Sequence, residues 1–176
     1  MRRAHDDINP ICRACSSIDE TLGHVLGQCI TTKAKRIKRH NEIVDLLKDR
    51  LAATNRVLVE PTVEHNGERF KPDFVITNEE RVIVLDVTVR YKNRSFLTEA
   101  AKEKIDKYSN ISNKLKRNFN APQARVVPIV VGSRGALPAA TIAELKQLNI
   151  RKTDWLTISL IALKSSIEIA NAFMNN

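Results

Sequence analysis

The chain has 176 residues, 43% of them hydrophobic, which suffices for one compact domain with a real core plus a small appendage and excludes several large domains. Lys and Arg number 29 against 20 Asp and Glu, a formal net charge of +9, which favours a polyanionic partner, most simply nucleic acid. The N-terminus, MRRAHDDINP, lacks the apolar stretch of about 7 to 15 residues that a signal peptide needs, and no uninterrupted apolar run approaches the ~18 residues of a membrane span. The expectation is an intracellular, soluble protein that is not secreted and has no membrane partner.

The first segment, residues 1–32, is poor in periodic apolar residues and holds all three cysteines. Cys12, Cys15, His24 and Cys29 follow the spacing C-x2-C-x8-H-x4-C, which supplies three thiolates and one imidazole, a tetrahedral set suited to Zn2+. Four protein ligands leave no open position for water, so the metal is expected to be structural and to provide the folding energy that the segment's small core does not. The alternative is three unrelated buried thiols and a surface histidine.

Residues 33–176 read differently. Lys33 to Ala53 carries Ile37, Val44, Leu47 and Leu51 at helical spacing behind a basic opening, KAKRIKR. Lys33, Lys35, Arg36, Lys38 and Arg39 of that opening are candidate phosphate contacts, and Lys71 is a sixth, although a basic helix face is often only solvated. Arg56 to Glu64 is extended, and the turn His65-Asn66-Gly67-Glu68 joins it to Phe70 to Thr77 as a hairpin. A second turn at Asn78-Glu79-Glu80 leads into the longest strand, Arg81 to Arg90. A helix capped by Thr98 runs to about Phe119, and Ala124 to Gly132 forms a strand whose Pro128 implies an edge or a bulge. Helices at Ala139 to Leu148 and Asp154 to Ala172, the latter capped by Thr153, complete the chain. The expected class is α/β: helix, three strands, helix, strand, with a mixed sheet flanked by helices, a zinc-stabilised segment before it and a helical tail after it.

The stretch FKPDFVITNEERVIVLDVTV sets one acid in each of two strands, Asp73 and Asp86. Neighbouring strands in suitable register bring such acids side by side, where they repel unless a cation lies between them, and a hard ion such as Mg2+ with oxygen ligands is the natural choice. Pro72 pre-sets the entry into Asp73 by fixing its own φ and biasing Lys71 to an extended conformation. Acids at strand ends are also common as plain ion pairs, here with Lys71 and Arg90. In the following helix Ala101, Ile105, Tyr108, Ile111, Ser112, Leu115 and Phe119 form a mostly apolar stripe, and Lys104 is the one charged residue inside its arc. A lysine aimed at a sheet usually has a carboxylate partner or a chemical role; the alternative is that it snorkels to solvent.

Pro-Asp on one strand and an acid on the next, within this topology, resembles the restriction-endonuclease-like superfamily, whose motif continues as acid, one residue, lysine. Asp86-Val87-Thr88 puts threonine in the lysine's place. The cluster ICRAC...ETLGHVLGQC, the RHN of the first long helix (Arg39, His40, Asn41), VEP (Val59 to Pro61), KPD (Lys71 to Asp73), Asp86 and KIDKY (Lys104 to Tyr108) together resemble the C-terminal zinc-knuckle and restriction-like endonuclease region of site-specific non-LTR retrotransposon polyproteins of type I that insert into ribosomal RNA genes. The resemblance covers roughly residues 10 to 120.

It implies a catalytic lysine displaced to the helix, Lys104, accompanied by Tyr108, with Asp73 and Asp86 holding Mg2+. It also implies a zinc-knuckle-like element at Cys12, Cys15, His24 and Cys29 that contacts DNA or the element RNA. The activity implied is Mg2+-dependent nicking of chromosomal DNA, hence a nuclear location, to prime copying by a reverse transcriptase domain in cis in the parent polyprotein. No Tyr-x-Asp-Asp motif is present, so a polyprotein fragment or a truncated copy is expected. Glu60 is a weaker third acid, better explained by a surface ion pair. A nucleic-acid-binding module with a decayed nuclease, and a purely structural protein, stay open as alternatives.

Overall fold

The computed structural model describes residues 10–91 and 95–175, so residues 1–9 of the expected zinc segment, residues 92–94 and the final residue lie outside the described residues. Thr21 opens helix α1 (Leu22–Gly27) by accepting the His24 amide, and one 3-10 turn, Ile30–Thr32, leads into α2 (Lys33–Ala52). The α2 stripe that faces inward is Arg39, Ile43, Val44, Leu47 and Leu51. Ile37, expected in that stripe, is 49% exposed where it borders a cleft, while Arg39, on the opposite edge of the stripe, is buried by its hydrogen bonds.

Next come β1 (Arg56–Val59), β2 (Val63–His65), β3 (Glu68–Phe70) and β4 (Phe74–Thr77). The expected hairpin forms but is split into two ladders. Val59 pairs with Phe74 and Val63 with Phe70, one shared register, which sets Pro61 opposite Pro72. Neither proline has an N–H to give, so the ladder breaks between them and resumes on either side. At the tip, Asn66 and Gly67 both take positive φ, 51° and 80°, which suits the right-handed twist of the two strands.

The strand β5 (Arg81–Arg90) runs antiparallel to β4 and parallel to β6 (Gln123–Gly132), giving the order β1-β4-β5-β6. The parallel pair requires a crossover, supplied by α3 (Phe96–Asn118). Pro128 sits on the edge strand, where a missing donor costs little. Helices α4 (Ala139–Gln147) and α5 (Lys152–Met174) follow.

The sheet has two differently covered faces. Phe74, Ile76, Ile83, Leu85 and Val87 point toward α2, α4 and α5, while Val75, Val82 and Val84 point toward Tyr108, Ile111 and Leu115 of α3. Strand alternation therefore assigns Asp73 and Asp86 to the α3 face. The architecture is α/β, with a mixed sheet flanked by helices.

A third cluster joins Cys12, Val25, Leu26 and Cys29 to Ile169 and Phe173 of α5, so the cysteine-bearing segment has more core than its sequence suggests. By length and average composition α5 could cross a membrane, unlike any uninterrupted apolar run in the sequence, yet it packs one face on the sheet through Ile158 and Ala162.

Candidate active site

Register brings the two acids together. Phe74 pairs with Leu85, and the same antiparallel register carried one residue further sets Asp73 across from Asp86. Both carboxylates are buried and border a cleft of about 370 Å³ lined also by His40, Val87, Thr88, Lys104 and Tyr108.

Each acid has named partners. Asp73 Oδ2 accepts the Val87 amide at 2.6 Å and lies 3.3 Å from His40 Nε2. Asp86 Oδ1 accepts the Tyr108 hydroxyl at 2.7 Å, and Asp86 Oδ2 lies 2.8 Å from Lys104 Nζ. The Lys104 side chain is only 18% exposed and turns into the cleft, so it does not snorkel outward. The buried arc of α3 runs through Ala100, Tyr108, Ile111 and Leu115, and Ile105 is exposed, so the stripe is rotated slightly from the one expected and Lys104 falls one turn before Tyr108 in its middle. Arg90 and Lys71, the alternative partners for the acids, instead bind Glu103 at 2.9 Å and Glu60 at 2.8 Å. Glu60 is thus in a surface ion pair and does not join the carboxylate pair.

The electrostatics follow from these contacts. The hydrogen bond and charge of Asp73, with a smaller contribution from the Val87 backbone, push the His40 imidazole up to about 9 against the opposing effect of burial. His40 is therefore protonated at neutral pH and, with Lys104, offsets the two carboxylates. Burial first, then the bond to Asp86, raises the Tyr108 hydroxyl far above its ordinary range, so it stays a neutral donor.

His40 was missed as a site residue by sequence reasoning, although it lies in the RHN triplet. No periodicity marks it, because it reaches Asp73 from α2, on the opposite side of the sheet from α3.

The candidate nucleic-acid contacts separate. Lys33, Lys35 and Lys38 are exposed on α2, and Lys71 and Arg36 line the cleft. Arg36 also donates to the carbonyls of Gly27, Gln28 and Cys29. Arg39 differs from these: it also borders the cleft but is 2% exposed, and its two terminal nitrogens donate to Ser166 Oγ at 2.7 Å and to the Leu26 carbonyl at 3.0 Å. It ties α1, α2 and α5 together, which gives it a structural task whether or not the cleft holds a phosphate.

The second cluster is Cys12, Cys15, His24 and Cys29, whose ligand atoms all lie within 4.8 Å of one another. Cys12 Sγ and Cys29 Sγ are 3.9 Å apart, and Cys15 Sγ is 3.2 Å from His24 Nε2, close to the ~3.5–3.8 Å edges of a tetrahedron with zinc-ligand bonds of ~2.0–2.3 Å. His24 comes from α1, whereas Cys29 lies beyond the end of that helix and is folded back by its backbone N–H, which donates to the His24 carbonyl at 2.8 Å. Burial works to raise the Cys29 thiol, but hydrogen bonding with the Thr31 hydroxyl, 3.0 Å away, and with the Thr31 backbone brings it below its usual range. The donor set and spacing fit a zinc ion, and the cluster can hold one.

No protein-family model matches the chain. A Pol polyprotein from the type-1 retrotransposable element R2 of Popillia japonica is 31% identical over 168 residues, 93% of this chain and 28% of that protein. A second R2 polyprotein from the same organism is 30% identical over 154 residues, covering 83% of this chain and 22% of the relative. The Drosophila melanogaster Pol polyprotein from the type-2 element R2DM is 29% identical over 122 residues, 68% of this chain and 11% of the relative. The chain thus spans less than a third of the length of these three relatives. Over most of its length it is homologous to R2 retrotransposon Pol polyproteins.

Proposed function

We propose that the chain is the Mg2+-dependent DNA endonuclease region of a retrotransposon polyprotein, with a restriction-like catalytic core. The observation that carries the reading is the meeting of Asp73, Asp86 and Lys104, from two strands and a helix, in one cleft. The donor set suits a hard cation, with two carboxylates opposite one another beside the Val87 backbone, although such an ion would have to share them with His40 and Lys104, which already pair with them.

Asp73 and Asp86 would hold Mg2+, which supplies charge neutralisation at the scissile phosphate and a more acidic water. The protein's own groups do the rest. Lys104 stabilises negative charge developing on the phosphate oxygens, or orients the attacking water. Tyr108 fixes the Asp86 carboxylate through its hydroxyl, and the Val87 amide does the same for Asp73. Thr88, buried on the same face as Asp86, can do no more than hydrogen-bond to water. The zinc cluster is structural, and Gly27 and Arg36 extend the lining of the cleft on its side. Lys33, Lys35, Lys38 and Lys71 contact phosphates, with DNA or the element RNA as partner, and the reverse transcriptase acts in cis in the parent polyprotein.

Plasmid nicking with Mg2+ tests the reading. Asp73→Ala should abolish nicking and leave DNA affinity within about two-fold, because Asp73 contributes no phosphate contact. A wild-type chain that binds DNA but never cuts with Mg2+ would instead mark a decayed module.

A further inference from the structure

One face of α5 has nothing packed on it among the described residues. Leu156, Leu160, Leu163, Ile167 and Met174 are each between 40% and 64% exposed. Their spacing is four, three, four and seven residues, and Ala170, at the edge of the face and packed in part against the cluster of Cys12, Cys29 and Phe173, fills the gap at three and four. That is the alternating repeat of a coiled-coil seam, and it lies opposite the stripe of Ile158, Ala162, Ser165 and Ile169 that faces the protein. An ordinary surface helix has one apolar stripe; α5 has two.

We propose that this seam pairs with the same seam of a second copy of the chain, in an antiparallel two-fold arrangement. Centred at Ser165, such a pairing sets Leu163 against Ile167, Leu156 against Met174 and Leu160 against the small Ala170, so that every seam residue meets another seam residue. The rim supports a self-complementary partner. Lys164 and Glu168 flank the seam on α5, and Lys38 and Glu42, 3.8 Å apart, border the same groove from α2. A rim with two cations and two anions suits a partner of mixed charge such as a second copy, whereas an anionic membrane surface or a nucleic acid calls for a basic rim.

The area places the interface in the weak, concentration-dependent class. Five large side chains exposed to this degree present apolar surface on the order of 500 Å² per copy, at the upper end of the largest patch a monomer leaves bare, the size at which such patches are often functional. Two copies then bury roughly 1,000 Å² before the polar rim is counted, the lower bound for a specific interface. Because α5 covers the sheet face away from α3, the pairing leaves Lys104 and Tyr108 uncovered.

Sedimentation velocity of the zinc-loaded full chain, from about 1 to 100 μM and without nucleic acid, tests the proposal. The expected result is a concentration-dependent shift from 19.9 kDa to twice that mass. Leu160→Glu with Leu163→Glu should hold the chain monomeric at every concentration with an unchanged circular dichroism spectrum, since both side chains are exposed. Glu168→Lys should weaken the dimer at least ten-fold, and Glu168→Lys with Lys164→Glu should restore it. A wild-type monomer throughout, association that survives the double glutamate variant, open-ended aggregation, or cosedimentation with phosphatidylcholine vesicles in place of dimerisation would each overturn it.

Discussion

Lys104 Nζ lies 2.8 Å from Asp86 Oδ2, though eighteen positions of sequence and the whole entry into α3 separate the two residues. In the strand itself, two residues after Asp86, stands Thr88, on the same face and lining the same cleft. Thr88 and Lys104 border one cleft, so an ammonium from either element has access to it. Lys104→Ala should lower single-turnover nicking by about 10²–10³-fold while DNA affinity is retained. Adding Thr88→Lys to that variant should recover part of the loss, because a lysine there points into the same cleft. Nicking by Lys104→Ala at the wild-type rate would remove the lysine from the chemistry.

The part of this arrangement legible in sequence was the part governed by periodicity. A stripe at helical spacing with one lysine inside it identifies Lys104, and strand alternation assigns Asp73 and Asp86 to one face once their strands are neighbours. The turn chemistry of Asn66-Gly67 gives the hairpin, but the break in its ladder needed the register, since only pairing reveals that Pro61 faces Pro72. Contacts between elements that cross the sheet carry no local signal. Arg39 sits in a basic run and reads as a phosphate contact, yet Leu26 and Ser166, thirteen and 127 positions away, draw it inside. His40 reaches Asp73 across the end of the sheet for the same reason, and the second stripe of α5 is visible only after the first is seen to be buried.

His40 gives a pH dependence whose sign is fixed. Its folded value, raised to about 9 chiefly by Asp73, exceeds its ordinary 6.5. The resulting stability is therefore fully present below pH ~6.5 and is lost as pH rises through about 9. With the side chain partly exposed, solvent screening reduces the effect to about 1 kcal/mol. Urea unfolding of the magnesium-free protein at pH 6 and at pH 9.5 should show this decline, and His40→Gln should remove most of it. An equal decline in His40→Gln would assign it to other groups.

Zinc removal should act locally first. Cys12 and Cys29 share a cluster with Ile169 and Phe173, so freeing the thiolates loosens both the segment and the end of α5. A strong chelator should raise amide exchange in residues 11–32 and 165–174 well before it does so in β5, whose flanks are covered by separate cores. Cys29→Ser should reproduce the effect without chelator. Uniform exchange across the sheet would show that the metal supports the whole domain.

Arg39 and its neighbours on α2 should separate stability from binding. The Arg39 guanidinium, lowered to about 10 by burial and then by nearby Arg36, remains charged at neutral pH and holds Ser166 Oγ and the Leu26 carbonyl. Arg39→Met keeps much of the side-chain volume but leaves those acceptors unpaired, at a cost of about 2–4 kcal/mol. Lys33→Ala and Lys35→Ala, both on exposed positions, should change stability by less than about 0.5 kcal/mol. If they touch phosphates, each should lower the slope of log affinity against log salt by about 1, a change that Arg39→Met should not produce. Paired urea melts and salt titrations of DNA binding read both quantities. A reduced salt slope in Arg39→Met with undiminished stability would return Arg39 to the surface and break the link it makes between α1, α2 and α5.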